Sequence, residues 1–218
     1  MEIRVATKND AAGALAVYAQ YINTSVTFEY ELPSIDEFSR RISDTLKTHP
    51  YLVCMESGKL CGYAYAHQLK EREAYQWSAE LSIYLDSGIT SRGMGRTLYA
   101  LLIEILKHQG VRTVYGCVTI PNPRSEKLHE SLGFRPLGMF RNAGFKNKEW
   151  HDTAWFEKQI AGCNVPPGKA DSLFPSRAGN GQQNHQILHF EGQSPVISEP
   201  GGEKLRQSCV SILTFSPK

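Results

Sequence analysis

The stretch Ser91-Arg92-Gly93-Met94-Gly95-Arg96 sets two glycines one residue apart between arginines, directly before an apolar, helix-like run. Glycines let a backbone approach a ligand closely, and the first turn of a helix offers unpaired N–H groups and a dipole that favours an anion. Arg92 and Arg96 add full positive charges, so a doubly phosphorylated ligand suits this loop. Two common phosphate motifs do not fit it. A P-loop needs the lysine and hydroxyl of GxxxxGK[ST], and a dinucleotide fingerprint needs a third glycine and a later acidic residue; this segment has neither set. About ten residues before this loop stands Glu80. A partly shielded carboxylate there could accept a proton at neutral pH.

The elements that must hold these groups are legible from periodicity. In WSAELSIYL, Ala79, Leu81, Ile83 and Leu85 share one face of a strand, and Ser78, Glu80, Ser82 and Tyr84 share the other. After the glycine loop, Leu98, Leu101, Leu102, Ile105 and Leu106 form a core stripe on one amphipathic helix, closed by Gly110. Upstream, EIRVA reads as a strand. Asn9 or Asp10 can cap a helix through Ile22, with Leu15, Tyr18, Ala19 and Ile22 on one face. Ser34 and Glu37 form a capping-box pattern before Phe38, Ile42 and Leu46. YLVCM, a turn at ESGK and LCGYAYAH predict a hairpin. Downstream, RTVYGCV predicts a strand, Ser125 to Leu132 a short helix ended by Gly133, and GFRPLGMF and DTAWFEKQI closing strands. Such alternation predicts a mixed sheet with helices on both faces.

The chain has 218 residues and a net charge of +2, which argues against a nucleic-acid binder. Its five cysteines are scattered, with neither disulfide nor metal-ligand spacing, which suits reduced thiols in a cytoplasmic protein. No run approaches the length a membrane span needs. Residues 161–218 hold six of the eleven prolines and seven of the eighteen glycines, with few periodic apolar positions, so they read as a low-complexity, disordered tail. The working domain is residues 1–160.

Taken in order, AELSIYL, RGMG and, about thirty residues on, NPRSEKLHESLGF resemble the GNAT superfamily of acetyl-coenzyme A-dependent N-acetyltransferases. The set YINTS, AYQWSAELSIY, GRTLY, KLHESLGF, AGFK and WHD narrows the resemblance to the phosphinothricin type, which includes methionine sulfoximine acetyltransferases, and covers nearly all of residues 3–158. The resemblance implies an α/β (α+β) fold with a mixed, mostly antiparallel twisted sheet flanked by helices. It implies acetyl-coenzyme A as cosubstrate, no metal, an amino acid-like acceptor, direct attack without a covalent acyl-enzyme, and a homodimer.

Residue by residue, the resemblance puts Ser91, Arg92, Gly93, Met94, Gly95 and Arg96 around the pyrophosphate. Asn122, Arg124 and Ser131 line the coenzyme arm, and the backbones of Ile83, Tyr84 and Leu85 pair with the pantetheine amides. Glu80 is the base, and the N–H groups of Ala79 and Leu81 are candidate oxyanion donors. His129 occupies the position from which a proton reaches the coenzyme sulfur, a task suited to imidazole at working pH. Lys70 and Arg72 grip an anionic end of the acceptor, while Thr24, Phe28 and Tyr75 shape its pocket. One departure is Thr90, where the superfamily loop usually opens with glutamine or arginine. Trp150, His151 and Asp152 read as structural, because no serine or cysteine sits in a nucleophile-elbow setting. The alternatives are an aminoacyl or protein N-acetyltransferase, and a non-catalytic module that senses acetyl-coenzyme A.

Overall fold

The computed structural model describes residues 1–89 and 93–163. Within them lie seven strands: β1 (Glu2–Val5), β2 (Tyr51–Glu56), β3 (Lys59–Gln68), β4 (Ser78–Leu85), β5 (Thr113–Ile120), β6 (Arg135–Lys146) and β7 (Glu149–Gln159). Four α-helices accompany them: α1 (Ala11–Ala19), α2 (Ile35–Thr45), α3 (Met94–His108) and α4 (Pro123–Ser131). The strands form one sheet in the order β1-β2-β3-β4-β5-β7-β6. All neighbours are antiparallel except β4 and β5. This is the mixed, mostly antiparallel architecture expected from the sequence. Thr90, Ser91, Arg92 and the expected tail from residue 164 onward lie outside the described residues. No described helix is long and apolar enough to cross a membrane.

Period-two alternation sorts the strand side chains onto two faces. Leu52, Cys54, Ala79 and Leu81 point to one side, where Leu98, Leu102 and Leu106 of α3 join Phe134 and Phe156. Those three leucines are wholly buried, so the predicted stripe is the core face of α3, although Leu101 is only partly covered. Tyr51, Val53 and Tyr63 point to the other side, against Leu15 and Tyr18 of α1 and Phe38 and Ile42 of α2. That second face is rich in tyrosine. Tyr51 stacks on Tyr65 at 5.0 Å, and Tyr84 lies 5.3 Å from Tyr63 and 5.0 Å from Tyr18.

Local signals explain most element ends. The Ser34 hydroxyl accepts from the Glu37 amide at 3.1 Å and starts α2, while Arg40 and Arg41 engage the Glu37 carboxylate. Ser57 and Gly58, at φ of 50° and 78°, make the two-residue turn between β2 and β3. Two expectations need correction. α1 ends at Ala19 rather than Ile22, because both the amide and the hydroxyl of Thr24 turn onto the Tyr21 carbonyl and tighten the chain. Asp10 does not cap α1; its carboxylate faces back to Arg4 at 2.6 Å and to the Thr7 amide at 2.7 Å. The closing strands are also longer than expected. They meet at Asn147 and Lys148, both with positive φ, in a hairpin whose turn lacks the usual glycine.

Candidate active site

β4 and β5 pair at only three positions: Ser78 with Thr113, Ala79 with Val114 and Glu80 with Tyr115. Beyond Glu80 the two strands run on unpaired to each other, which opens a wedge in the sheet. β4 meanwhile stays in register with β3 from Ala79 to Leu85. Leu69 N donates to Ser78 O and Asp86 N to Cys61 O. Strand alternation therefore commits the backbone groups of Glu80, Ser82 and Tyr84 to β3, and turns those of Leu81, Ile83 and Leu85 toward the wedge. Tyr84 is thus corrected as a backbone partner for coenzyme; its ring belongs to the tyrosine cluster. Leu85 keeps its amide for the wedge, but its carbonyl already accepts the Tyr21 hydroxyl at 2.5 Å.

The two loop glycines serve different ends. Gly93 sits at the N-cap of α3 with φ of 78°, a left-handed conformation that side chains resist. At Gly95 a Cβ would point inward, 3.4 Å from both Leu85 and Leu128, so packing rather than ligand approach surrounds that position. The Met94 side chain is buried beside Cys61, leaving only its backbone at the helix start. Arg96 is exposed and donates to the Ser131 carbonyl at 2.5 Å, tying the start of α3 to the end of α4. The Ser131 hydroxyl donates to Leu128 O at 2.9 Å, and Asn122 caps α4 by accepting the Ser125 amide at 3.2 Å. Both side chains therefore also stabilise the helix they were expected to project from. Ser91 and Arg92 fall outside the described residues.

Glu80 stands where the β4–β5 pairing stops, with its side chain 20% exposed and 4.0 Å from His67 Nε2. Burial lifts its pKa above the ordinary carboxylate value, and the positive charge of Lys70, with that of His67 whenever it holds a second proton, only partly opposes this. Such a group takes up a proton more readily than an exposed carboxylate does.

His129 differs from the sequence expectation. It is 2% exposed, stacked on Phe156 at 5.0 Å and edged by Tyr99 and Phe134. Its Nδ1 lies 2.8 Å from Ser125 O, which can only accept, so the ring proton sits there. Among the described residues Nε2 has no hydrogen-bond partner, and its lone pair faces Gly116, where a Cβ would stand 2.2 Å away. Burial lowers the His129 pKa and holds the ring neutral. A ring in this state has no proton to give from Nε2.

On the acceptor side, Lys70, Arg72 and Tyr75 sit exposed in the segment between β3 and β4. Thr24 does not face a pocket with its hydroxyl, which is engaged by Tyr21 O and the Val26 amide. Phe28 packs on Gly144, where a Cβ would meet its ring at 2.4 Å, and lies 6.2 Å from His151. The loop carrying Phe28 is strapped to the β6–β7 hairpin. The buried Lys146 ammonium donates to Thr27 O at 2.5 Å, Asn147 donates to Asn23 O at 3.1 Å, and the Tyr30 hydroxyl donates to Phe145 O. His151 and Asp152 serve the same hairpin, through Lys146 O and the Asn142 amide. Sequence reasoning missed His67, Gly116 and Lys146 because their partners, Glu80, His129 and Thr27, lie on other elements far along the chain. Among the described residues, no three His, Cys, Asp or Glu side chains gather as metal ligands would.

A strand pair splayed beside a helix start, with a shielded carboxylate at the split, places the chain in a known class. It belongs to the acetyltransferase (GNAT) domain family, whose profile matches residues 3–155, and it is an N-acetyltransferase. It is 35% identical over 161 residues to a phosphinothricin N-acetyltransferase of Streptomyces viridochromogenes, an alignment covering 73% of this chain and 88% of that protein. An L-methionine sulfoximine/L-methionine sulfone acetyltransferase of Salmonella typhimurium is 25% identical over 162 residues, covering 73% of this chain and 95% of that protein. Among solved structures, a GNAT superfamily phosphinothricin acetyltransferase from Sinorhizobium meliloti in complex with AcCoA superposes with a TM-score of 0.74 at 30% identity, covering 77% of this chain and 92% of that one.

Proposed function

We propose that the protein acetylates the amino group of a small amino acid-like acceptor, such as phosphinothricin or methionine sulfoximine, by direct attack on acetyl-coenzyme A within a ternary complex. The observation that carries this is the position of Glu80, at the point where β4 and β5 part and with its charge disfavoured by burial. The loop at Gly93 and the first turn of α3 hold the pyrophosphate, and the wedge-facing backbone of Ile83 holds the pantetheine arm. The thioester carbonyl then lies near the Leu81 amide, a donor aimed where negative charge develops. Glu80 removes one proton from the acceptor ammonium, and the freed amine attacks. On collapse of the tetrahedral intermediate, the nitrogen's remaining surplus proton passes to the departing thiolate. Lys70 and Arg72 attract the anionic end of the acceptor. His129 acts here as a neutral wall behind the wedge.

The test is coenzyme A thiol release over a panel of amino acids that includes phosphinothricin and methionine sulfoximine, with Glu80→Gln run alongside. Saturable turnover with one of these, lost in Glu80→Gln, is the expected result; thiol release without acceptor dependence, or a covalent acetyl-protein, defeats the proposal. The same proposal includes a homodimer, supported by the exposed Leu137, Met139, Phe140, Phe145 and Trp150 on β6 and β7. Light scattering at twice the chain mass is the expected readout.

A further inference from the structure

Acetylating an ammonium group releases one proton per turnover beyond the one carried off by the thiol. If Glu80 is the base, that proton sits on a carboxyl whose side chain is only 20% exposed, and it must leave before the next cycle. The groups around Glu80 differ sharply in their ability to take it. Lys70, from the segment after β3, is a cation without a lone pair. Tyr65 on β3 and Tyr99 on α3 are phenols whose ionisation burial disfavours. The Cys117 thiol on β5 is pushed up to about 11 by burial, so it stays protonated and cannot accept.

His67 is the exception. It lies directly across the β3–β4 ladder from Glu80, on the same face of the sheet, with Nε2 4.0 Å from the Glu80 carboxylate. Its Nδ1 lies 3.1 Å from the Gln68 carbonyl, which can only accept, so Nδ1 carries the ring proton and Nε2 presents its lone pair to Glu80. The His67 side chain is 42% exposed, twice as open as Glu80. On its other flanks stand the Tyr65 ring at 6.2 Å and His49, from the segment between α2 and β2. Burial, reinforced by charge on His67, depresses the His49 pKa to about 4, so a proton on His67 moves to solvent rather than inward.

We propose that His67 is the proton exit of the site, acting through Glu80: across the 4.0 Å gap one bridging water gives a proton to Nε2 as it takes the proton of the Glu80 carboxyl, and bulk water then removes the proton from the exposed imidazolium. This rests on Glu80 being the base.

The test uses His67→Gln and His67→Asn in the full chain beside Glu80→Gln, following thiol release against pH and buffer concentration. Both His67 variants are expected to unfold at the wild-type temperature and to bind acetyl-coenzyme A normally. Their kcat in dilute buffer near pH 7 should fall about tenfold with the acceptor KM unchanged, and rise with added imidazole, which carries the proton instead. A raised acceptor KM with unchanged kcat and no imidazole response would make His67 a pocket residue and overturn the proposal. Wild-type behaviour of the His67 variants beside an inactive Glu80→Gln removes the exit alone. Full activity in Glu80→Gln removes the base assignment and the exit with it.

Discussion

The two faces of this sheet treat their ionisable groups in opposite ways. On the side of α3 and α4, leucines and phenylalanines close over His129, whose Nδ1 donates its proton to the Ser125 carbonyl, and leave the ring neutral. On the side of α1 and α2, tyrosines cover the sheet only as far as the wedge, and Glu80 is left partly shielded yet in reach of water. Complete burial silences a titratable group, whereas incomplete burial tunes it. One sheet separates the two outcomes.

The largest test of that contrast is kinetic. Glu80→Gln should lower kcat roughly 10²–10⁴-fold, the usual effect of a positioned base, while His129→Asn should cost less than about tenfold and leave the pH profile unshifted. Equal losses in a thiol-release assay would erase the distinction between the faces. Next in size is Gly116→Ala. A methyl group there would press into the His129 ring, and we expect destabilisation of about 1–3 kcal/mol in denaturant unfolding. Combined with His129→Ala, the two changes should be less than additive, since the smaller side chain makes room.

Smaller again is the pair at the loop. Gly93→Ala should cost about 1 kcal/mol through its left-handed backbone and weaken coenzyme binding in calorimetry. Gly95→Ala should change both less, because its Cβ would meet only ordinary contacts. The subtlest effect is on stability. Burial raises the Glu80 pKa in the folded state above its unfolded value, so ionising it costs stability above the folded pKa and nothing below the unfolded one. Glu80→Gln should therefore raise Tm at about pH 8, with the gain fading toward about pH 4. A scan showing the reverse would mean that Glu80 is stabilised as a carboxylate, which the proposed base cannot be.

Much of the scaffold was legible beforehand because its signals are local. The alternation from Ser78 to Leu85, the leucines of α3 and the Ser34 cap each involve residues within a few positions of one another. Where partners come from afar, the sequence reading slipped. Asp10 was expected to cap a helix, but Arg4 claims it; Tyr84 was expected at the coenzyme, but the neighbouring strand and its tyrosines hold it. The hairpin at Asn147 and Lys148 went unseen because its turn residues are unusual ones.

By itself, then, the sequence determined which segments become strands and helices, and it placed a carboxylate and a glycine loop about ten residues apart on a strand and the helix start that follows. Only the tertiary structure decided that β4 and β5 part after Glu80, that His129 is sealed while Glu80 is not, and that His67 faces Glu80 across the ladder. The reason is physical. Element type follows from propensity and periodicity along a few residues, whereas burial and cross-strand neighbours, which set charge states, exist only once distant segments have packed.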